Sequence, residues 1–420
     1  MVLRTDKDTR AHVKRSFFGA LWHGAFLALG TALTQPSTVI NAFIADLTGS
    51  TSWVGGLSTV LSIASTIPQL FVARWIEPRP RKKPLLLVAI YLRTLSWGTL
   101  AWLIFFIGAA HPMLLAWTLV GLLAIFSIGG GLGGVPYTHI IGRVIPPDKR
   151  GAFFGGRQAL SGPLAIGAAL LAQRVLTDLP YPNNYALLFG LAALSLFIAS
   201  VGFWIIPEEP EKHAKKQVSP WTEYLQQLRT TTRQMKGLIA VQVLTGFSLM
   251  ALPFYIVYAR QELGAPASAI GWFTLVQVVG GTLANLLWAR LVDRFSSWHM
   301  VTTCAIISAL TPLLAIALSP LGWKGMLPIL FLTGATANGR TVGFPSALLE
   351  IAPPAELPTY TAVNTILALP IGFLPMGAGI FLHYLSYPAL FALASLGTGI
   401  GAWLSSRYAI RSTAKIELET

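Results

Sequence analysis

Long apolar stretches separated by short polar segments run through almost the whole chain. A helix needs about 20 predominantly apolar residues to cross the ~30 Å hydrocarbon core of a bilayer. By this measure the sequence predicts twelve spans, numbered 1 to 12 along the chain: 16–46, 52–76, 84–109, 112–140, 152–177, 182–206, 236–260, 267–292, 298–320, 324–350, 358–383 and 386–408. The pattern therefore predicts an all-α membrane protein with twelve transmembrane helices.

One polar segment, residues 207–235, is longer than the others. It is rich in Glu and Lys, and it contains Ser219-Pro220-Trp221, a typical helix start with a cap residue and a proline in the first turn. The residues that follow have the pattern of a short interfacial helix. We therefore predict an N-terminal six-helix bundle (1–206), a cytoplasmic linker (207–235) and a C-terminal six-helix bundle (236–420).

The composition supports a membrane protein. The chain has 420 residues, of which 54% are hydrophobic and 11% charged, and its mean hydropathy is +0.63. A soluble globular chain carries roughly 25% charged residues. The one cysteine, Cys304, allows no internal disulfide, and its apolar surroundings favour a buried, inert thiol.

The net charge of +14 comes from short basic clusters between the spans and in the tails. With the amino terminus in the cytoplasm, 25 of the 30 Lys and Arg residues, Arg157 among them, fall on the cytoplasmic side, three fall outside and two lie within spans. The positive-inside rule favours this orientation in the cell (inner) membrane, with both termini cytoplasmic. Such clusters contact anionic lipid headgroups, and without a long basic face or a nucleic-acid module they do not indicate nucleic-acid binding.

Short motifs recur about half a chain apart and in the same order. Gly134-Val135-Pro136 in span 4 corresponds to Gly343-Phe344-Pro345 in span 10, and Ala73-Arg74-Trp75-Ile76-Glu77 corresponds to Ala289-Arg290-Leu291-Val292-Asp293. A third pair consists of the loops that begin at Pro146-Pro147 and Pro353-Pro354. Repeated halves are common in secondary transporters. With twelve spans and a central loop, nearly the whole chain resembles the major facilitator superfamily.

The resemblance implies two pseudo-symmetric bundles whose helices 1, 4, 7 and 10 line a central cavity. It also implies a gating role for the acids and basic residues of the loops after spans 2 and 8. On that basis Glu77, Arg81, Asp293 and Arg294 are the predicted gating residues. Both loop motifs lack the family's glycines, which makes the pattern degenerate.

Polar residues within spans are costly and therefore candidates for function. Arg340 lies deep in span 10, so it faces protein or a water-filled cavity; its guanidinium suits an anionic group. The alternative is a structural arginine bonded to carbonyls or to polar helix neighbours. The predicted substrate-binding residues are Arg340, Asn338, Thr336, Gln35, Thr38, Asn41, Tyr255 and Gln277. Thr31, Gln35, Thr38 and Asn41 are spaced to share one face of span 1, where interhelical hydrogen bonding is the alternative role.

Two other polar residues lie deep in predicted spans. Arg93, in span 3, is on a helix that the resemblance implies is peripheral, which favours a packing role. His23, in span 1, is the candidate proton carrier, although packing is the more common role of such a histidine.

The positions of the acids limit the chemistry. All sixteen lie at span ends, in loops or in tails. Proton-driven carriers usually need a carboxylate or histidine within the membrane, so this distribution disfavours a proton–drug antiporter and a cationic substrate. The glycine-rich segment 129–134 lies inside an apolar helix, where it favours close packing over dinucleotide binding.

We therefore expect a monomeric secondary or facilitative transporter that moves a small anionic or amphiphilic solute by alternating access. A lipid or amphiphile flippase, or a drug-efflux carrier of the same fold, is the alternative. Enzyme motifs, metal-ligand patterns and cofactor-binding motifs are absent from the sequence, so we expect no catalysis, metal or cofactor. The expected partners are the solute and membrane lipids.

The charge asymmetry leads to a labelling prediction. Single cysteines added to either terminus or within 207–235 should react with membrane-impermeant thiol reagents only from the cytoplasmic side. Inside-out and right-side-out vesicles, with Cys304 replaced, measure the two sides separately. Reaction of the central segment from outside would contradict the predicted topology.

Overall fold

Helices account for nearly all of the computed structural model. It describes residues 6–76, 79–108, 110–146, 149–208, 210, 233–352 and 357–419. Side chains 6–11, 73–74, 150–151, 233–234, 289, 292–294, 357–359, 362 and 411–419 lie outside that description. Glu77, most of the predicted linker and the proline loops also lie outside it. Within the described ranges there is no β-strand.

The helices correspond to the twelve predicted spans. Spans 2 to 6 are Thr51–Ile76, Lys83–Ile107, Pro112–Val144, Arg150–Asp178 and Asn183–Ile205; spans 8, 9, 10 and 12 are Ala269–Arg294, Ser297–Ala317, Met326–Ile351 and Tyr387–Glu419. Among the residues that the structure describes, eleven spans are long and apolar enough to cross a membrane. Span 10 falls short in apolarity because it carries Asn338, Arg340 and several threonines and glycines.

Three spans that the sequence predicts as continuous are interrupted. Span 1 consists of Asp6–Leu33, a π-helical turn at Pro36–Ile40 and Asn41–Thr48. Span 7 breaks at Pro253, between Arg233–Ala251 and Phe254–Gln261. Span 11 consists of Leu357–Ala368, a 3₁₀ turn at Leu369–Phe373 and Leu374–Phe381. Each interruption contains a proline, which lacks the N–H that helix hydrogen bonding needs.

Acidic side chains bond to the first backbone amides of two spans. Glu208 accepts hydrogen bonds from the Lys82 and Lys83 amides at 2.6 and 2.9 Å, at the start of span 3. Glu350 accepts one from the Ser297 amide at 2.8 Å, at the start of span 9. A carboxylate at a helix N-terminus satisfies free amides and interacts favourably with the helix dipole.

By contacts the chain divides into two units. Unit 1 is Met1–Gln35 with Val60–Val218, and unit 2 is Pro36–Thr59 with Ser219–Thr420. In unit 1, span 1 packs on spans 5 and 6, and span 3 packs on spans 4 and 6. In unit 2 the corresponding pairs recur, since span 7 packs on 11 and 12, and span 9 on 10 and 12. The predicted boundaries of the halves, 1–206 and 236–420, stay a prediction.

Small residues allow close approach between spans 8 and 10. A Cβ on Gly280 would overlap the Phe331 carbonyl, and one on Gly334 would overlap the Gln277 carbonyl. In span 4, a Cβ on Gly131 would likewise overlap the Ser65 carbonyl of span 2. Membrane helices gain packing contacts where small residues let backbones meet.

The contact at Gly334 predicts a loss of stability on enlargement. Gly334→Ala should lower the melting temperature of the purified protein, because overpacking a tight contact typically costs about 1–3 kcal/mol. Gly399→Ala is the matched control in unit 2, since no atom lies within 4 Å of the position a Cβ would take there. Equal melting temperatures for the two variants would contradict the tight contact.

Candidate functional site

Arg340 is held by span 7. Its Nη1 donates to Thr245 Oγ1 at 2.8 Å, and its Nη2 donates to the Gln242 carbonyl at 2.9 Å. The guanidinium carbon lies 4.8 Å from the centre of the Phe344 ring, one turn further along span 10. These contacts fix the position of the charge inside unit 2.

Arg340 also lines a cavity. The cavity contains about 380 Å³ of empty space, including its open mouth, and three of its lining residues are predicted site residues: Tyr255, Thr336 and Arg340. The remaining lining side chains are Ser248, Leu249, Leu252, Ser308, Thr311, Thr333 and Ala337, from spans 7, 9 and 10. In the part of the chain that the structure describes, no carboxylate pairs with Arg340. The cavity therefore combines one cation with several hydroxyl groups.

A hydrogen-bonded chain leads to the same cavity. Ser37 Oγ donates to Gln277 Oε1 at 2.8 Å, and Gln277 Nε2 donates to Thr333 Oγ1 at 3.0 Å. Beside it, the hydroxyls of Thr38 and Thr274 are 2.7 Å apart. Of the predicted residues, Gln277 is therefore connected through Thr333 to the cavity that Arg340 lines, whereas Thr38 is bonded to Thr274.

The other predicted binding residues are less closely associated with the cavity. Asn338 Nδ2 donates to the Gly281 carbonyl at 2.9 Å, and Asn41 Oδ1 accepts from Ser58 at 3.3 Å. Gln35 belongs to unit 1, whereas Thr38 and Asn41 belong to unit 2. Because the π-helical turn at Pro36–Ile40 changes the helical phase, the polar stripe of span 1 does not follow one uninterrupted α-helical face.

His23 and Arg93, the two other deep polar residues, are packed side chains of unit 1. His23 is 4% exposed; its Nδ1 lies 3.2 Å from the Ala199 carbonyl, and its ring contacts Phe203 and Tyr137. The Arg93 guanidinium lies 4.5 Å from the centre of the Phe126 ring, and its buried Nε has no hydrogen-bond partner. Among the described residues, no cluster of three His, Cys, Asp or Glu side chains is placed to hold a metal ion.

The described structure contains an ion pair between two residues that were not among the predicted gating residues. Arg260 Nη2 lies 2.6 Å from Asp46 Oδ1, with both side chains about one-fifth exposed. Arg260 also donates to the Ala265 carbonyl. Of the predicted gating residues, Arg81 is exposed. Glu77 and the side chains of Asp293 and Arg294 lie outside the described residues, so their gating role stays a prediction.

Sequence reasoning missed several cavity residues on spans 7 and 9. Ser248, Ser308 and Thr311 were overlooked because serine and threonine are ordinary in membrane helices. A usable signal was the spacing of Thr245, Ser248, Leu252 and Tyr255, which follows one helical face. Arg157, counted with the cytoplasmic cluster, lies within the membrane-length helix of span 5, Ala152–Asp178.

The family model described as Major Facilitator Superfamily matches residues 24–257 and 238–419, and so covers nearly the whole chain. The chain belongs to the Major Facilitator Superfamily. It is an integral, multi-pass membrane transporter. Like the proteins of this superfamily that it resembles, it is not an enzyme.

Individual relatives within the superfamily are distant. Multidrug resistance protein MdtH of Cronobacter sakazakii is 23% identical over 243 residues, which are 55% of this chain and 55% of that protein. The match thus spans about half the length of that curated relative. A bacterial homologue of the iron transporter ferroportin has a TM-score of 0.68 at 14% identity, covering 92% of this chain and 98% of that one. A D-xylose–proton symporter has a TM-score of 0.66 at 16% identity, covering 94% and 96%. At these identities the solved structures show the fold alone.

The Asp46–Arg260 pair should couple two positions 214 residues apart in the sequence. Asp46→Asn and Arg260→Gln should each lower the melting temperature, since a hydrogen bond to a charged group contributes about 1.5–3 kcal/mol. The double variant should melt no lower than the worse single variant, because either change already removes the pair. Additive losses would show that the two side chains act independently.

Proposed function

We propose that this transporter moves a small anionic or amphiphilic solute by alternating access and binds its negative group at Arg340. The observation that carries the proposal is the cavity in unit 2, where a guanidinium without a carboxylate partner in the described structure lies among hydroxyl groups. A solute that supplies the missing negative charge is the natural ligand of such a cavity.

The hydrogen bonds of Arg340 support an anionic ligand. A guanidinium has five N–H donors in a fixed planar arrangement. The protein uses one on Nη1 and one on Nη2, which leaves three without an acceptor among the described residues. Planar, paired N–H groups match carboxylate, phosphate and sulfonate oxygens. The threonine and serine hydroxyls of the cavity add further donors.

The same hydrogen bonds are also those of a structural arginine. Thr245 and the Gln242 carbonyl hold the guanidinium whether or not a ligand is present. A test of the proposal must therefore distinguish a loss of ligand affinity from a loss of protein stability.

The contact units support the mechanism. Residues 36–59, from the first half of the sequence, join unit 2 through Asp46–Arg260, Thr38–Thr274 and the bond from Thr51 Oγ1 to the Gly379 carbonyl. We propose that these contacts form a gate that opens during the transport cycle. In the proposed cycle Glu77, Arg81, Asp293 and Arg294 form the opposite gate, on the cytoplasmic side with both termini, in the cell (inner) membrane.

Drug efflux is the second candidate. The observation that favours it is the match to a protein named as a multidrug resistance protein. Efflux of a cationic dye from cells that express the chain, abolished by depolarisation, would favour this candidate. Uptake of an organic anion by proteoliposomes would favour the first.

The proposal predicts a graded response at Arg340. A thermal-shift screen of organic anions on the purified protein first identifies a ligand, since a molecule that binds the folded state raises the melting temperature. Arg340→Lys keeps the charge but loses the planar donors, so it should weaken binding of that ligand. Arg340→Ala should weaken it further, by on the order of 2–5 kcal/mol if the charge pair is desolvated. Titration calorimetry measures the ligand affinity of both variants.

Arg93→Lys is the matched control, because it alters another arginine within a span in the other unit. It should lower stability at most and leave ligand affinity unchanged. A monodisperse Arg340→Ala protein with parental heat stability and parental affinity would remove Arg340 from the binding site.

A further inference from the structure

Span 5 carries a charge that the proposed site does not use. Arg157 lies seven residues after Arg150, where the helix begins, and hence about 10 Å along its axis. Tyr137, on span 4, lies seven residues before the end of its helix at Val144. The two side chains therefore meet well inside their helices.

The Arg157 side chain lies across the bundle of unit 1. A Cβ on Gly24 of span 1 would lie 2.9 Å from Nε and 3.0 Å from Cγ, so the glycine provides the space that the side chain occupies. Nη1 donates to Tyr137 Oη at 2.8 Å. A snorkelling arginine directs its guanidinium to the membrane surface, whereas this one contacts spans 1 and 4.

The neighbours of Arg157 on span 5 also face span 1. Phe153, one turn earlier, is fully buried against Phe17 with ring centres 5.6 Å apart. Ser161, one turn later, donates to the Gly24 carbonyl at 3.3 Å. Arg157 is half-buried between them. It therefore lies on the inner side of span 5, away from the exposed face at Ala152, Ala159 and Pro163.

The pair Arg157–Tyr137 offers donors and no negative charge. In the described part of unit 1, no carboxylate contacts Arg157, and Tyr137 Oη is its one hydrogen-bond acceptor. Four of its five N–H groups are therefore without a protein acceptor there. Because Tyr137 Oη accepts that bond, its own proton is free to be donated to a second acceptor.

We propose that Arg157 and Tyr137 form an oxyanion-binding site in unit 1, which takes a carboxylate, phosphate or sulfonate group. The ligand is the anionic group of the transported solute, a step that rests on the proposed function, or an anionic lipid headgroup of the same chemistry. The site itself requires only that an anion reach Arg157 from water, and its residues belong to unit 1, whereas those of the Arg340 cavity belong to unit 2.

A charge-selective labelling experiment tests the site without a known substrate. Cys304→Ser removes the one native cysteine, and Ser161→Cys then places a thiol one turn from Arg157. In phosphatidylcholine proteoliposomes, an anionic methanethiosulfonate reagent should modify this thiol faster than a cationic one. Arg157→Gln should reduce the anionic-to-cationic rate ratio about tenfold or more, since the two reagents respond oppositely to a nearby positive charge.

Two further variants distinguish an effect of the Arg157 charge from an effect on the fold. Arg157→Lys should keep most of the rate ratio, because it retains the positive charge. Arg174→Gln removes an exposed arginine from the other end of the same helix and should leave the ratio unchanged. A thiol that reacts with neither reagent, or a ratio that survives Arg157→Gln, would overturn the proposal.

Protection against a neutral methanethiosulfonate reagent identifies the source of the anion. Slower labelling with inorganic phosphate in phosphatidylcholine vesicles would indicate a soluble oxyanion. Slower labelling only after phosphatidylglycerol is included would indicate a lipid headgroup. Protection by neither would refute oxyanion binding. Because labelling needs no solute flux, the site can stand if the transport proposal fails, and the Arg340 variants report on that proposal separately.

Discussion

A polar group inside a lipid bilayer has no water to bond to, and the positions of polar side chains in this chain follow from that constraint. Most hydroxyls bond to a carbonyl one turn back on their own helix, as Thr94 and Thr274 do. Trp22 and Trp288 donate their ring N–H groups to carbonyls of other spans. Such groups are satisfied at little cost. An arginine has five donors, and neither Arg340 nor Arg157 finds enough acceptors in the described protein to satisfy them.

The same constraint governs the backbone breaks. An interrupted helix frees amide and carbonyl groups, which are tolerated in a membrane only where protein or water can bond to them. Spans 1 and 7 hold corresponding places in the two halves, and both are interrupted near a proline, Pro36 and Pro253. Interruptions in corresponding helices are the pattern that surrounds transporter binding sites. Leu252 and Tyr255, on either side of the span 7 break, line the cavity of Arg340.

The sequence was sufficient for whatever depends on local apolarity. Twelve spans and the depth of Arg340 follow from hydropathy, which reports burial in lipid directly. Contacts between residues far apart in the chain do not follow from hydropathy. The sequence alone does not predict that Asp46 pairs with Arg260, or that Gly334 contacts the Gln277 carbonyl. The contact that Arg157 makes was missed for another reason. It follows Lys149 and Arg150 closely, and a hydropathy count cannot tell a charge that reaches the membrane surface from one that crosses to Tyr137.

The two arginines differ in how far the protein fixes them. Arg340 is held by two hydrogen bonds and the Phe344 ring. Binding of a ligand there therefore costs little conformational entropy for that side chain. Arg157 is held by one hydrogen bond to Tyr137, whose ring centre lies 5.5 Å from the guanidinium carbon, and by the space over Gly24, so part of its freedom is lost only on binding. A fixed guanidinium discriminates by geometry, whereas a looser one attracts by charge. Under the two proposals, recognition of the shape of the anionic group therefore depends mainly on unit 2, and unit 1 supplies a less selective attraction.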